Sequence, residues 1–250
     1  FMVMNARELG NVMREAFQVA REGRPGPVLV DVPRDVQLEE AEVEFPEASK
    51  TEIPPLSDET LEGIQQAARL INDAERPVII SGHGIIASGA SAEVQALAET
   101  TGIPVITTLL GLSSFPGNHP LNLGMLGMHG MYWANMAVDQ ADVIVGLAMR
   151  FDDRVTGKAS TFAPHARIIH LDIEASQVGR NVPVEVAVVG DAKALLQRLA
   201  PMVTNTPRPD WMQYIENLRQ DHPSLTIPAS NTLQAQQVIQ ALDTLLQEDP

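Results

Sequence analysis

The spacing of hydrophobic residues changes several times along the chain, and each change marks a predicted element. Leu9, Val12, Met13, Ala16, Phe17 and Ala20 recur every three or four residues, which predicts a helix over 7–22 that Gly23 stops. Pro27–Val32 (PVLVDV) then reads as a strand closed by Pro33. One helix and one strand cannot enclose a core, and a parallel strand needs neighbours, so residues 1–37 are expected to be the end of a domain whose earlier part lies upstream. Residues 38–56 carry Glu39, Glu40, Glu42 and Glu44, then Pro46, Pro54 and Pro55, with little periodicity, and are expected to be a linker.

From Ser57 the pattern becomes regular. Ser57 is placed to cap a helix whose apolar positions are Leu61, Ile64, Ala68 and Ile71. Short apolar runs then predict strands at 77–81, 105–108, 143–148, 168–172 and 186–189. Between them the spacing predicts helices at 91–101, 130–141 and 191–199. Such alternation predicts the α/β class, a parallel sheet with helices on both faces, over a domain running from 57 to 202. Residues 203–230 read as a second linker around a short amphipathic helix at 211–219, with a turn-rich end, DHPSLTIPAS. A last helix over 233–246, with Ala235, Val238, Leu242 and Leu245 on one face, opens a further unit at 231–250.

Composition narrows the classes of function. The 250 residues carry a formal charge of −15 and a pI near 4.7, which argues against nucleic acid, whose phosphates select clustered Lys and Arg. No apolar run approaches the roughly 20 residues that span a bilayer, and the first residues do not resemble a signal peptide. Zero cysteines exclude disulfides and thiolate metal sites and suit a reducing compartment, so the expected location is cytoplasmic. The six histidines show no metal-ligand pair spacing; His119, His165, His170 and His222 are taken as solvent or structural residues.

Candidate chemistry lies after the strands, because ligands of open α/β sheets bind outside the carboxyl ends of their strands. The apolar run Asp142–Ala148 is followed by Arg150, Asp152, Asp153 and Arg154, and preceded by Gly124, Gly127 and Gly130, which would let backbone N–H groups approach a ligand. Gly82-His83-Gly84 after the first strand could turn backbone donors toward a phosphate or be an ordinary tight turn; the third glycine of a dinucleotide fingerprint is missing. Asp172, in Leu171-Asp172-Ile173-Glu174, could hold ribose hydroxyls or start a turn. Asp191 after Gly190 could serve a ligand or cap the next helix. Thr108-Leu109-Leu110 could equally be core, and Met125, Met128 and Met131 adaptable packing. There is no H-E-x-x-H, G-x-S-x-G or P-loop.

Taken together, GRPGPVLVDVPRD (23–35), GMLGMHG (124–130), RFDDRVTGK (150–158), FAPHA (162–166) and HLDI (170–173) resemble the acetohydroxyacid synthase (acetolactate synthase) large subunit, along nearly the whole chain. That family is thiamine-diphosphate dependent and its central domain holds FAD. The resemblance implies that FAD contacts fall on Arg24, reaching from the first domain; on Gly82, His83 and Gly84; on Thr108, Leu109 and Leu110 along the flavin; and on Met125, Leu126, Gly127, Met128, His129 and Gly130. It further implies Arg150 near the phosphates, Asp152, Arg154 and Val155 beside it, Asp172 and Ile173 at a ribose, and Gly190 and Asp191 on the adenine side. His83 departs from the family's run of three glycines, so its side chain must point away from the ligand or stack on it. The family's activating glutamate and its Gly-Asp-Gly with an Asn pair, which hold thiamine diphosphate and Mg²⁺, are not found, so no catalytic residue is expected in the chain. The implied function is condensation of two pyruvates, or pyruvate and 2-oxobutyrate, in a homo-oligomer with a possible small regulatory subunit. Another thiamine-diphosphate enzyme (glyoxylate carboligase, 2-oxoacid oxidase or decarboxylase) and a free-standing nucleotide-binding module remain alternatives.

Overall fold

In the computed structural model, residues 1–42, 55–223, 227 and 230–246 are described. Most of the first predicted linker, 43–54, and parts of the turn-rich stretch and the last unit lie outside them.

Helix α1, Leu9–Arg21, runs close to its predicted bounds, followed by the short α2, Arg34–Gln37. The strand expected at 27–32 is reduced to one parallel bridge, Met2 with Asp31, flanked by Phe1 N–H to Leu29 O at 2.9 Å and Val3 N–H to Asp31 O at 2.9 Å. A run with β propensity becomes a strand only where further strands satisfy its backbone, and here just Phe1–Val3 lies alongside. The small core of this unit is Val3, Ala6 and Val36, while Phe17 and Leu29 are exposed.

Ser57 accepts from the Thr60 N–H at 3.1 Å, and this cap starts α3, Asp58–Asp73, whose Ile64, Ala68 and Ile71 are buried. The sheet follows: β1 Pro77–Ser81, α4 His83–Ala87, α5 Ser91–Thr101, β2 Val105–Thr107, β3 Asn122–Met125, α6 Tyr132–Gln140, β4 Val143–Leu147, α7 Asp153–Thr156, β5 Arg167–Asp172, β6 Val186–Val189, α8 Ala192–Leu199, α9 Pro209–Asp221 and α10 Ala235–Leu246. All pairings are parallel and the order is β3-β2-β1-β4-β5-β6, so the strand order reverses between β1 and β4. Strand β3 was not predicted: Asn122 and Gly124 are poor strand residues, Gly124 has φ +78°, and the register shifts along β2. Gly124 and Met125 are therefore in this edge strand and not in the glycine loop that follows.

The strand residues alternate between two cores. Ile79, Val145, Leu147, Ile169 and Leu171 face α3, α5 and α8, while Val78, Ile80, Ile144 and Ile168 face α6 and α9. Fully buried isoleucines such as Ile64, Ile79 and Ile144 each contribute roughly 1.5–3 kcal/mol relative to exposure. Trp211 and Ile215 of α9 join the second core, so the packed layer continues past residue 202. Arg208, just before α9, is buried and donates to the carbonyls of Ile71, Ala74, Thr101 and Thr206 at 2.8–3.1 Å, placing a cation at the carboxyl ends of α3 and α5. At that same end of the sheet Asp142 accepts from the N–H groups of Glu75 and Arg76.

Candidate functional site

The carboxyl ends of β1 and β4 meet where the strand order reverses, and the glycines after β1 serve that meeting. A Cβ on Gly82 would overlap the Ala148 carbonyl, and one on Gly84 would come to 2.6 Å from the Ala148 Cβ. Gly82 N–H donates to Leu147 O at 2.9 Å and Gly84 N–H to Ala148 O at 3.1 Å. The turn was open to two readings, donors turned toward a phosphate or an ordinary tight turn; both N–H groups are taken by the end of β4, and the glycines act by close packing. His83 between them is exposed, its Nδ1 3.1 Å from Leu110 O, so it links the turns after β1 and β2.

Thr108 accepts the Gly111 N–H at 3.1 Å and so caps the single 3₁₀ turn that lifts Leu109 and Leu110 to the surface, 66% and 67% exposed. A core role for the two leucines is thereby excluded. Met128 and His129 are also exposed, whereas Leu126 is buried in the second core and Met125 and Val155 are half-buried. The glycine loop is clamped onto the charged loop. Gly127 has φ +95° and no room for a Cβ against the Arg154 carbonyl; its N–H and C=O pair with the Asn135 side chain, and Gly130 lies against Leu126.

Beyond β4, Met149 and Phe151 are buried and Arg150 between them is exposed, its guanidinium 3.6 Å from the Asp152 carboxylate. Asp152 Oδ1 is buried with no hydrogen-bond partner among the described residues. Arg154 is exposed on α7. At the end of β5, Asp172 is 8% exposed, its Oδ1 accepts the Glu174 N–H at 2.9 Å, and Ile173 turns outward. Burial raises the Asp172 pKa, opposed by that N–H, by His170 and by the charge of Arg24. Arg24 is exposed in the N-terminal unit, and its charge also lowers the pKa of Glu174, after the larger effect of hydrogen bonds from Ser176. Asp191 accepts the Ala194 N–H at 3.0 Å as the cap of α8, and Gly190 N–H donates to Asp172 O at 3.0 Å. The cap reading of Asp191 is thus formed, through Oδ1.

His170, set aside in the sequence as solvent or structural, is fully buried beneath this edge. Its Nε2 is 2.8 Å from Met149 O and 3.8 Å from Asp172 Oδ2. The signal was a titratable residue inside an apolar strand run. Two cavities lie elsewhere. One of about 170 Å³ is lined by Leu126, Asn135, Val155 and Phe162 beneath the clamped loops. The other, of about 690 Å³, opens at the amino end of the sheet beside Arg76, Trp211 and Tyr214, where the guanidinium of Arg208 is already satisfied by carbonyls.

The family model for the central domain of thiamine pyrophosphate enzymes matches residues 64–199, more than half of the chain. The chain belongs to the thiamine pyrophosphate enzyme central-domain family. Among curated proteins it is similar to the acetolactate synthase large subunit of Corynebacterium glutamicum, 43% identical over 231 residues, covering 89% of this chain and 37% of that protein. It is likewise 43% identical to the probable acetolactate synthase large subunit of Methanocaldococcus jannaschii over 91% of this chain and 39% of the relative. It is 41% identical to the acetolactate synthase isozyme 1 large subunit of Escherichia coli over 89% and 39%. The chain therefore spans about two fifths of the length of these relatives.

For this thiamine pyrophosphate enzyme central domain, the carboxyl edge suits a ligand with anionic, hydroxylated and apolar parts. Arg150 offers a guanidinium, Asp172 a recessed carboxylate, Asp152 Oδ1 an unused buried acceptor, and Leu109, Leu110 and Met128 an apolar surface. These residues fit FAD. No helix among the described residues is long and apolar enough to cross a membrane.

Proposed function

We propose that this chain is the central part of an acetolactate synthase large subunit and holds FAD at the carboxyl edge of its sheet. The observation that carries the reading is the 41–43% identity to acetolactate synthase large subunits running through about nine tenths of the chain, both flanks of the central domain included. The complete enzyme would decarboxylate pyruvate and join the two-carbon unit to a second pyruvate or to 2-oxobutyrate, in branched-chain amino acid biosynthesis in the cytoplasm. Bound thiamine diphosphate with Mg²⁺ supplies the carbanion chemistry, from parts outside residues 1–250.

Within this chain the work is binding and orientation. Arg150 would offset phosphate charge, Asp172 would accept from ribose hydroxyls, and Arg24 would close over the same end from the N-terminal unit. Leu109, Leu110 and Met128 would exclude water from the flavin face. The flavin takes no net redox part in the reaction. A homo-oligomer, with or without a small regulatory subunit, is the assembly that goes with this reading. Acetolactate formation from pyruvate, dependent on thiamine diphosphate and Mg²⁺ and supported by added FAD, is the test. Protein that consumes pyruvate to acetaldehyde or acetate alone, or that carries no flavin, would turn the assignment to a different thiamine diphosphate enzyme.

A further inference from the structure

The chain leaves β4 through a strained turn. Ala148 has φ +48°, in the left-handed region that costs a residue with a side chain about 1–2 kcal/mol, so the surroundings must impose it. Glycines across the turn make the close approach possible, as described above for Gly82 and Gly84. The backbone around Ala148 is then fastened from both neighbouring strands. Leu147 O and Ala148 O accept from the β1 turn, and Ala148 N–H donates to Leu171 O on β5 at 2.7 Å.

The remaining fastener is a side chain. The Met149 carbonyl can only accept, so the nitrogen 2.8 Å away, His170 Nε2, carries a proton. His170 is wholly enclosed, and its desolvation lowers its pKa, which keeps the ring neutral near pH 7. A neutral ring has one proton, and it is spent on Met149. Nδ1 is left as a buried acceptor with no partner among the described residues. Such an atom costs stability, and a purely packing role would be met more cheaply by leucine. The charged neighbour is Asp172, 3.8 Å from Nε2; Phe151 stands edge-on to the ring at 5.0 Å and 87°.

Phe151 is held in turn. Its ring covers Gly146, where a Cβ would come to 2.7 Å from Cζ. Met149 is thus fixed by its carbonyl and Phe151 by its ring, both buried, and Arg150 has only the outward direction left.

We propose that His170 is the positioning residue for Arg150: by holding the Met149 carbonyl it sets where that guanidinium meets the phosphates of the ligand at the carboxyl edge. This rests on the FAD reading for the identity of the ligand but not for the action of His170 on the loop. Histidine is suited because its ring reaches the carbonyl from the adjacent strand, and glutamine is the conservative substitute that can still donate.

The test uses FAD titration of the whole protein by flavin fluorescence, ¹⁵N NMR of the histidine rings, and amide exchange. His170→Leu is expected to weaken FAD binding at least tenfold, His170→Gln less than threefold, and His170→Leu is expected to add nothing on an Arg150→Ala background. The wild-type ring should be neutral and protonated on Nε2, and exchange at residues 148–151 should accelerate at least tenfold in His170→Leu. An affinity within twofold of wild type in His170→Leu, the same loss repeated on Arg150→Ala, or protonation on Nδ1 would overturn the proposal. Should wild-type protein bind no FAD, the cofactor reading fails alone; the ring tautomer and the exchange at 148–151 then decide the role of His170. Should His170→Leu not fold, His170→Gln with and without Arg150→Ala decides it: a loss above threefold, or one additive with Arg150→Ala, counts against.

Discussion

The backbone of Gly127 lies directly against the carbonyl of Arg154, with no space for a β carbon, at φ +95°. Two segments that stand a helix and a strand apart in sequence, GMLGMHG and RFDDRVTGK, are thereby one surface. Their shared clamp is what turns a set of exposed side chains into a defined edge.

Gly127→Ala should therefore be destabilising by about 2–4 kcal/mol, from left-handed strain plus displacement of the Arg154 backbone. Gly117→Ala, at a glycine with nothing within 4 Å and no positive φ, is the control and should be within about 0.5 kcal/mol of wild type. Urea unfolding of the two variants checks this; equal stability would mean the clamp is loose.

Flavin is the expected ligand of the carboxyl edge, not NAD, and purified protein should show flavin absorbance. Arg150→Ala and Asp172→Ala should each weaken FAD by roughly 1.5–3 kcal/mol, the range for a charge-assisted hydrogen bond. Colourless protein that takes up NAD would refute the cofactor, and unchanged FAD affinity in both folded variants would make the two residues structural.

Acid should act on the two buried groups in opposite senses. The folded pKa of His170 is lowered by desolvation, so below about 6.5 the unfolded chain binds a proton that the native ring refuses, and stability falls as pH drops toward the folded value. The folded pKa of Asp172 is raised, again by desolvation, so the native carboxyl keeps its proton above the ordinary 3.8 and stability falls as pH rises through that window. Unfolding free energies between pH 5 and 8 should show the positive histidine slope in wild type and a flatter profile in His170→Gln. A profile of unchanged slope would place the ring in a more solvated setting.

Arg208→Met should cost about 3–5 kcal/mol, because four carbonyls at the ends of α3 and α5 and the segment before α9 lose their donors. Lysine should recover only part, having no planar fork to divide among them. Thermal unfolding with an FAD titration alongside separates this from any effect on the distant carboxyl edge, where binding by the folded variant should be unchanged.

What the sequence determined was the periodic framework. Five of the six strands and helices α3, α5, α6 and α8 could be placed because buried parallel strands read as apolar runs and Ser57 and Asp191 mark helix starts locally, whereas the short α4 and α7 read as turn and loop. The candidate edge was legible as well, because a strand's carboxyl end follows it in sequence and the charges at 150–154 stand there in plain order. The rest depended on which segments meet. β3 was hidden because Asn122 and Gly124 take their strand conformation from β2 alone, and Pro27–Val32 misled because propensity cannot supply the missing neighbours. Whether Gly82 offers its N–H to a ligand or to Leu147, whether Leu109 is core or surface, and that His170 reaches across to Met149 are questions of approach between residues distant in sequence. Only the folded sheet, by setting β1 and β5 on either side of β4, answers them.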